Sequence, residues 1–308
     1  MNTSHKWGFI VNPVAGNGFA RQYAEKVRAK IDEYHISADM RFTERRGHAT
    51  ELAAHLAEQG ATHIVAVGGD GTINETARGI MHRPDITLGL VSAGSGNDFA
   101  PVIGFSEHFT DADWHILFQQ HTILMDVGKC NENYFLNGMG LGFDAQVASE
   151  NFSETGEMKA HTGAMYFWHI VKNLLFYKEK EFRSEFNGEA RQAITFMKTI
   201  SIGRRFAGGY FLTPHAIAND GLLDVCLVEP VNLVQRFKLF AKVPTGGHLG
   251  HRKVNYFRTD RLLIEFDHEV PHHLDGELFY AARFDVSVLP NQLRILYNPE
   301  GNHFFSLD

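Results

Sequence analysis

The first part of the chain alternates short apolar runs with amphipathic stretches. Trp7–Val11 is an apolar run closed by Asn12-Pro13, which predicts a buried strand ended by a turn. Phe19–Tyr34 sets Tyr23, Val27, Ile31 and Tyr34 on one helical face. Ala38–Phe42 predicts a strand, and Ala49–Glu58 an alanine-rich helix with Leu52 and Leu56 four apart. Thr62–Val67 predicts a strand, Thr72–Ile80 a helix and Ile86–Val91 a strand. Short buried strands joined by helices imply parallel βαβ units, which bind ligands just beyond the carboxyl ends of their strands. The glycine-rich segments Asn12–Gly18, Gly68–Gly71 and Ala93–Asn97 fall at those ends.

Beyond residue 122 strand-like runs dominate. They are Ile123–Val127, Tyr134–Asn137, Lys180–Phe186, Ala193–Ile202, Leu222–Val228, Arg261–Phe266, Glu277–Ala281, Phe284–Val288 and Leu293–Tyr297. Asn187-Gly188 is a hairpin signal. Helices are expected at Gly163–Phe176 and Leu233–Lys242. The pattern predicts an α/β domain over residues 1–125 and a mostly antiparallel β-sandwich domain over 126–297. Residues 298–308 are expected to return and complete the first domain.

Composition narrows the classes. A chain of 308 residues suits two domains, and 44% hydrophobic against 21% charged residues excludes a disordered or fibrous chain. Phenylalanine is unevenly spread, with 7 in residues 1–125 and 18 in 126–308. That imbalance reads either as sandwich core or as a pocket for an apolar ligand. A net charge of −7 argues against nucleic acid as a partner and against lipid binding through bulk charge. Cys130 and Cys226 fit no metal or redox spacing and suggest a reducing, cytoplasmic setting. The first apolar run is too short for a signal peptide, and no apolar stretch reaches the ~18 residues of a membrane span.

The densest chemistry lies in Val67-Gly68-Gly69-Asp70-Gly71-Thr72-Ile73-Asn74-Glu75, after a strand and at the start of a helix. Its glycines allow close backbone approach, and the N–H groups of a helix start can hold phosphate oxygens. Asp70 sits where a carboxylate could face a metal on those phosphates; the plainer reading is a helix cap. The loop Asn12-Pro13-Val14-Ala15-Gly16-Asn17-Gly18 is either a second ligand loop or an ordinary first turn. In Ala93-Gly94-Ser95-Gly96-Asn97-Asp98-Phe99, Ser95 and Asn97 are phosphate contacts or helix caps, and Asp98 could orient a hydroxyl. Together the three loops form one rim, matching neither a Walker A loop nor the Gly-x-Gly-x-x-Gly fingerprint. Glu277, in Leu274-Asp275-Gly276-Glu277, is a general base or the end of a plain hairpin turn. Asp220, in Asn219-Asp220-Gly221-Leu222-Leu223-Asp224, suits a hard cation or a simple turn.

On these segments, in this order and over nearly the whole length, the chain resembles the diacylglycerol kinase catalytic-domain family in its soluble bacterial form. The Gly-Gly-Asp-Gly-Thr core is shared more widely with NAD kinases. Gly94-Ser95-Gly96-Asn97-Asp98-Phe99 and Asp275-Gly276-Glu277 narrow the resemblance to lipid kinases. The resemblance implies an active site between an α/β nucleotide domain and a β-sandwich, with ATP and Mg2+. It implies nucleotide contacts at Asn12, Pro13, Val14, Ala15, Gly16, Thr43, Gly68, Gly69, Asp70, Gly71, Thr72, Ile73, Asn74, Glu75 and Ser95. Glu277 would accept the proton of a lipid hydroxyl, with Asp70, Asp98 and Asp126 in the surrounding acidic network. Mg2+ would be held by Asp220 and the carbonyls of Ile217 and Leu222. The implied partner is a lipid at the membrane surface, met by a cytoplasmic protein peripheral to the inner face; a homodimer fits the resemblance. One departure stands out. Some relatives carry Lys where this chain has Asn17, and Lys172 or an arginine is a candidate replacement.

Three further features invite function. Adjacent His272 and His273 on a strand would point to opposite faces, which argues against one shared metal. Arg45-Arg46 and Arg204-Arg205 read as solvated surface or as phosphate contacts. The run Met165-Tyr166-Phe167-Trp168, continued by Ile170, Val171, Leu174, Leu175 and Phe176, reads as a buried helix or as a wall for acyl chains. The leading function is an ATP-dependent lipid kinase. The alternatives are a NAD kinase-like nucleotide kinase and a non-catalytic lipid or nucleotide sensor.

Overall fold

The computed structural model describes residues 5–150, 163–186 and 189–307. The chain divides into two compact units. The first takes residues up to 127 together with 217–220 and 290–307; the second takes the described residues of 128–216 and 221–289.

The first unit is built from β1 (Trp7–Val11), α1 (Phe19–Glu33), β2 (Ala38–Phe42), α2 (His48–Glu58), β3 (His63–Gly68), α3 (Asp70–Ile80), β4 (Thr87–Ser92) and α4 (Asp111–Gln119), entering β5 (Thr122–Cys130). β2, β1, β3 and β4 lie side by side, all parallel, with Trp7 opposite both Ala38 and His63, and His63 opposite Thr87. β1, β3 and β4 are buried at every residue, which is why they read as unbroken apolar runs. The helices pack tightly: at Gly79 of α3 a Cβ would sit 2.3 Å from the Thr50 carbonyl of α2. α4 starts with a full capping box between Thr110 and Asp113. The C-terminal residues return to this unit, where Phe304 donates to the Val102 carbonyl and accepts from the Ala218 amide.

The second unit is antiparallel. Its elements are β6 (Asn133–Phe135), β7 (Gly138–Gly142), α5 (Phe143–Glu150), α6 (Gly163–Phe176), β8 (Lys180–Phe186), β9 (Glu189–Thr195), β10 (Met197–Ser201), β11 (Arg205–Phe206), β12 (Tyr210–Phe211), β13 (Leu223–Val228), α7 (Leu233–Phe240), β14 (Val254–Thr259), β15 (Arg261–Leu274) and β16 (Glu277–Leu296). The order runs β14-β13-β10-β7-β15-β16, with β8 and β9 attached beside β15. β16 is one 20-residue strand where three runs were expected. Its last residues, Arg294 and Ile295, pair with Thr87 and Leu88 inside the first unit. β15 also outruns its expected end at Phe266, because a register break between Glu265 and Val270 inserts polar residues into a strand that then continues. β8 and β9 pair with Phe186 opposite Glu189; the expected turn at Asn187-Gly188 lies outside the described residues.

β10 separates two apolar clusters. Met197 joins Phe143, Leu174, Tyr177 and Phe196 against the helices. Lys198 stands among aromatic rings: its Nζ lies 3.7 Å from the Phe182 ring centre, and Phe182, Phe266, Phe284 and His272 contact one another in turn. Lys198 is 2% exposed, and burial pushes its ammonium down to about 7. Burial likewise lowers His272 to about 4. The sign for Lys198 follows from linkage. The unfolded chain binds this proton more tightly, so the destabilisation is complete below pH 7 and fades as pH rises towards 10.5. Lys198→Met is expected to raise stability at neutral pH by about 1–4 kcal/mol and to flatten the dependence between pH 7 and 10. Chemical denaturation at three pH values checks this; a destabilised Met variant would refute it.

One expectation is corrected. α6 is not buried all round. Ile170, Asn173 and Leu174 face inward, whereas Met165, Phe167, Trp168, Leu175 and Phe176 are exposed.

Candidate active site

Three loops at the carboxyl ends of β1, β3 and β4 are fastened into one surface. Gly69 and Gly94 meet backbone to backbone: a Cβ on Gly94 would lie 2.4 Å from the Gly69 Cα. At Gly16, with φ of +59°, a Cβ would lie 2.6 Å from the Ala93 carbonyl. Asn12 Nδ2 donates to Thr72 Oγ1 at 3.1 Å, tying the first loop to the start of α3. Asn97 takes a left-handed conformation (φ +55°) and closes the third loop, accepting from the Gly94 amide and donating to the Gly94 and Glu107 carbonyls.

Asp70 joins the second and third loops. Its carboxylate accepts the backbone N–H groups of Asp98 at 3.1 Å and Phe99 at 2.9 Å. Asp70 is thus a loop-joining residue as well as the first residue of α3, whose N-cap Gly69 carries no side-chain cap. At Gly71 a Cβ would meet nothing, so the helix start is open to an approaching group. This cradle of small residues at a helix N-terminus fits the phosphates of a nucleotide. Gly94→Ala is expected to push the second and third loops apart and weaken ATP-analogue binding at least about tenfold, because protein packing does not absorb so short a backbone contact. Calorimetry of a non-hydrolysable analogue checks this; unchanged affinity would contradict it.

Other expected contacts are placed differently. Thr43 follows β2 and donates its N–H to the Val11 carbonyl, so it stands beside the first loop. Ser95 is exposed at the tip of the third loop. Glu75 is turned to another task. Its carboxylate accepts the N–H groups of Gly47 and Ala49 at 2.9 and 3.2 Å, at the start of α2. Asp126 is fully buried, accepts the Asn291 amide at 2.8 Å and donates its own N–H to the Ala218 carbonyl. It therefore anchors the 217–220 segment that contains Ile217 and Asp220. Asn219 fixes the same segment to the C-terminal residues through Ser306.

Asp220 precedes Gly221, whose φ of +74° makes the sharp turn. Asp224, the motif's second acid, is buried and accepts from Tyr256 Oη at 2.5 Å and Arg258 Nε at 3.2 Å. An aspartate flanked by turn carbonyls is an all-oxygen donor set, which fits Mg2+.

In the second unit, Glu277 starts β16 directly after a two-residue turn, paired with Leu274. Asp275 (φ +48°) and Gly276 (φ +84°) are both left-handed, the requirement of a tight hairpin. The turn is pinned by the Asp275 carboxylate, which accepts the N–H groups of Leu136, Asn137 and Gly138 at 2.6, 3.0 and 2.8 Å. Beside it is a pair the sequence reading missed. Asp144 Oδ2 and His273 Nε2 lie 3.6 Å apart over Gly140, where a Cβ would come within 2.1 and 2.3 Å of them. The signal was present in Gly142-Phe143-Asp144, a glycine turn leading into a helix with an acid in its first turn. His272 packs instead against the rings of Phe279 and Phe284. Lys172, a candidate replacement for the lysine absent at Asn17, pairs with Glu150 at 3.0 Å. Arg45 pairs with Glu51 on the surface, and Arg204 donates to the Ala216 carbonyl.

Comparison with known proteins places the chain in a family and a fold. Residues 6–130 match the diacylglycerol kinase catalytic domain, and residues 137–297 match the YegS C-terminal NAD kinase beta sandwich-like domain. A diacylglycerol kinase of Staphylococcus saprophyticus is 27% identical over 270 residues, covering 87% of each chain. A diacylglycerol kinase of Bacillus subtilis is 25% identical over 278 residues, covering 87% of this chain and 88% of its own. A crystal structure of a diacylglycerol kinase from Bacillus anthracis superposes with a TM-score of 0.78 at 20% identity, over 97% of this chain and 99% of that one, which establishes the fold. With a catalytic domain and a C-terminal sandwich both matched in order, the chain belongs to the diacylglycerol kinase family, ATP-dependent phosphotransferases whose acceptor is a lipid alcohol.

Proposed function

We propose that this protein transfers the γ-phosphoryl group of ATP to the free hydroxyl of a diacylglycerol or closely related lipid, acting from the cytoplasm at the inner face of the membrane. The observation that carries the reading is the glycine rim, three backbone loops held together by Asn12, Asp70 and close glycine contacts at an open helix start. In this reading the amides of the rim hold the donor phosphates in place while charge builds on the transferring group. Asp98 and Ser95 border that surface. Glu277 receives the proton of the acceptor hydroxyl, and the pinned Asp275-Gly276 turn fixes where its carboxylate begins. Asp144 and His273 offer polar contacts to the acceptor headgroup. Asp220, with the carbonyls of Ile217 and Leu222, would hold Mg2+, which supplies positive charge and order to this region when bound.

The test is incubation of the purified protein with ATP, Mg2+ and a total lipid extract, followed by mass spectrometry of lipids that gain one phosphate. A phosphorylated diacylglycerol-class product is expected. Phosphorylation of NAD with no lipid product would overturn the reading in favour of a nucleotide kinase.

A further inference from the structure

The interior of the second unit holds an amine with no counter-charge. Lys198 of β10 is 2% exposed, and its Nζ sits over the face of the Phe182 ring. Among the described residues no hydrogen-bond acceptor or carboxylate pairs with it, and burial alone lowers its ammonium. Strand pairing sets a second base on the same face of the sheet. Lys198 stands opposite Leu141 of β7, and Leu141 opposite His272 of β15. The two bases therefore share one row, two strands or about 10 Å apart at the backbone. His272 is 3% exposed, and its Nδ1 is buried with no hydrogen-bond partner. Glu277 lies on this face too, but at the end of the next row, three strands or roughly 14 Å from Ile200 of β10.

The sheet is open beside these bases. One edge of β15 is served by two strands in turn, β8 at Leu263–Glu265 and β7 at His272–Leu274. Residues 266–271 between them pair with neither, and the register with β16 breaks over the same stretch. The gap leaves a slot lined by Gly142, Lys180, Thr195, Phe266, Val270 and Pro271, with room for about one water molecule. The ring of Phe266 joins the slot to the bases. It contacts Phe182, which carries Lys198, and Phe284, which meets His272.

An unpaired buried charge costs stability, and such a group is expected where it serves a ligand. Two bases without an acid between them call for an anion. Phe284 stands at right angles to both Phe266 and His272, a geometry that turns ring edges, the positive part of an aromatic quadrupole, towards a neighbour. One ammonium balances one negative charge; a dianion would leave charge uncompensated among apolar side chains. The narrow slot limits the occupant to a small ion. We propose that the interior of the second unit binds one small monovalent anion, of the size of a halide or formate, held by Lys198 Nζ with His272 beside it. The proposal does not depend on the kinase reading.

Bromide is the probe. Crystals of the full chain grown in sodium bromide, measured at the bromine absorption edge, should show an anomalous peak within hydrogen-bonding distance of Lys198 Nζ. The peak should vanish in Lys198→Met while surface bromides remain, and selenate, a dianion, should give none there. Chemical denaturation supplies the solution test, with sodium gluconate holding ionic strength constant. Raising bromide from zero to about 200 mM should increase the wild-type folding equilibrium constant at least about threefold, as a Kd of about 100 mM or tighter requires. Lys198→Met should show no such rise, so its advantage over the wild type narrows as bromide increases. His272→Phe, which keeps a ring against Phe284, should fold and bind bromide at least about threefold more weakly. A wild-type crystal with bromide at surface positions only would overturn the proposal. So would an equal bromide response in wild type and Lys198→Met, or stabilisation by decanoate with none by bromide.

Discussion

Glu277→Gln is expected to lower phosphoryl transfer about 100- to 10,000-fold while leaving affinity for an ATP analogue within about twofold. The amide preserves shape and hydrogen bonding but cannot take a proton from the acceptor hydroxyl. Glu277 lies in the second unit, whereas the glycine rim belongs to the first, so nucleotide binding by the rim should not depend on it. Steady-state rates on short-chain diacylglycerol, with calorimetry of a non-hydrolysable nucleotide, check both halves. A glutamine variant that keeps a tenth of the wild-type rate would remove Glu277 from its assigned role.

The largest effect on stability is expected from Asp275→Ala. Its carboxylate accepts three consecutive backbone N–H groups, and each bond to a charged acceptor contributes about 1.5–3 kcal/mol. Losing them together, and asking alanine to adopt a left-handed turn, should destabilise the second unit by about 3–5 kcal/mol. Asp275→Asn keeps the turn preference and part of the accepting capacity, so it should fall between alanine and wild type. Because the same turn sets the start of β16, the asparagine variant should also lose turnover through misplacement of Glu277. Thermal melts of the three proteins give the ranking; equal melting temperatures would show that the turn does not rely on this carboxylate.

The parallel half of the fold was legible because β1, β3 and β4 are buried on both faces. β1 and β2 fall at the expected residues, and the glycine loops stand at the strand ends that parallel topology favours for ligands. The antiparallel half hid more. β7 is Gly138-Met139-Gly140-Leu141-Gly142, a composition that weakens any strand signal. Its glycines are there for space: Gly140 admits Asp144 and His273, and Gly138 admits Phe206 and Ser201. β14 and α5 gave too little periodicity to be recognised. β16 broke into pieces because polar Arg283 and Pro290-Asn291-Gln292 interrupt it, although pairing with β15 and then with β4 keeps it extended.

The chemistry was legible where backbone carries it and less so where side chains do. Three glycine-rich loops announce close backbone approach, and tertiary contact joins them. No local pattern shows that Asp70 would reach the amides of residues 98 and 99, or that Glu75 would serve the start of α2. Composition alone gave the phenylalanine excess beyond residue 125 two meanings. Packing assigns Phe182 and Phe284 to the interior, with half-buried Phe266 between them, while Phe176 and Phe237 stand outside it.

The decisive measurement is transfer of label from γ-labelled ATP by the wild-type protein, offered a short-chain diacylglycerol and NAD together in the presence of Mg2+. Label should appear in the phosphorylated lipid and not in the dinucleotide. Label in the dinucleotide, or none in either acceptor, would contradict a lipid kinase built on the glycine rim and Glu277.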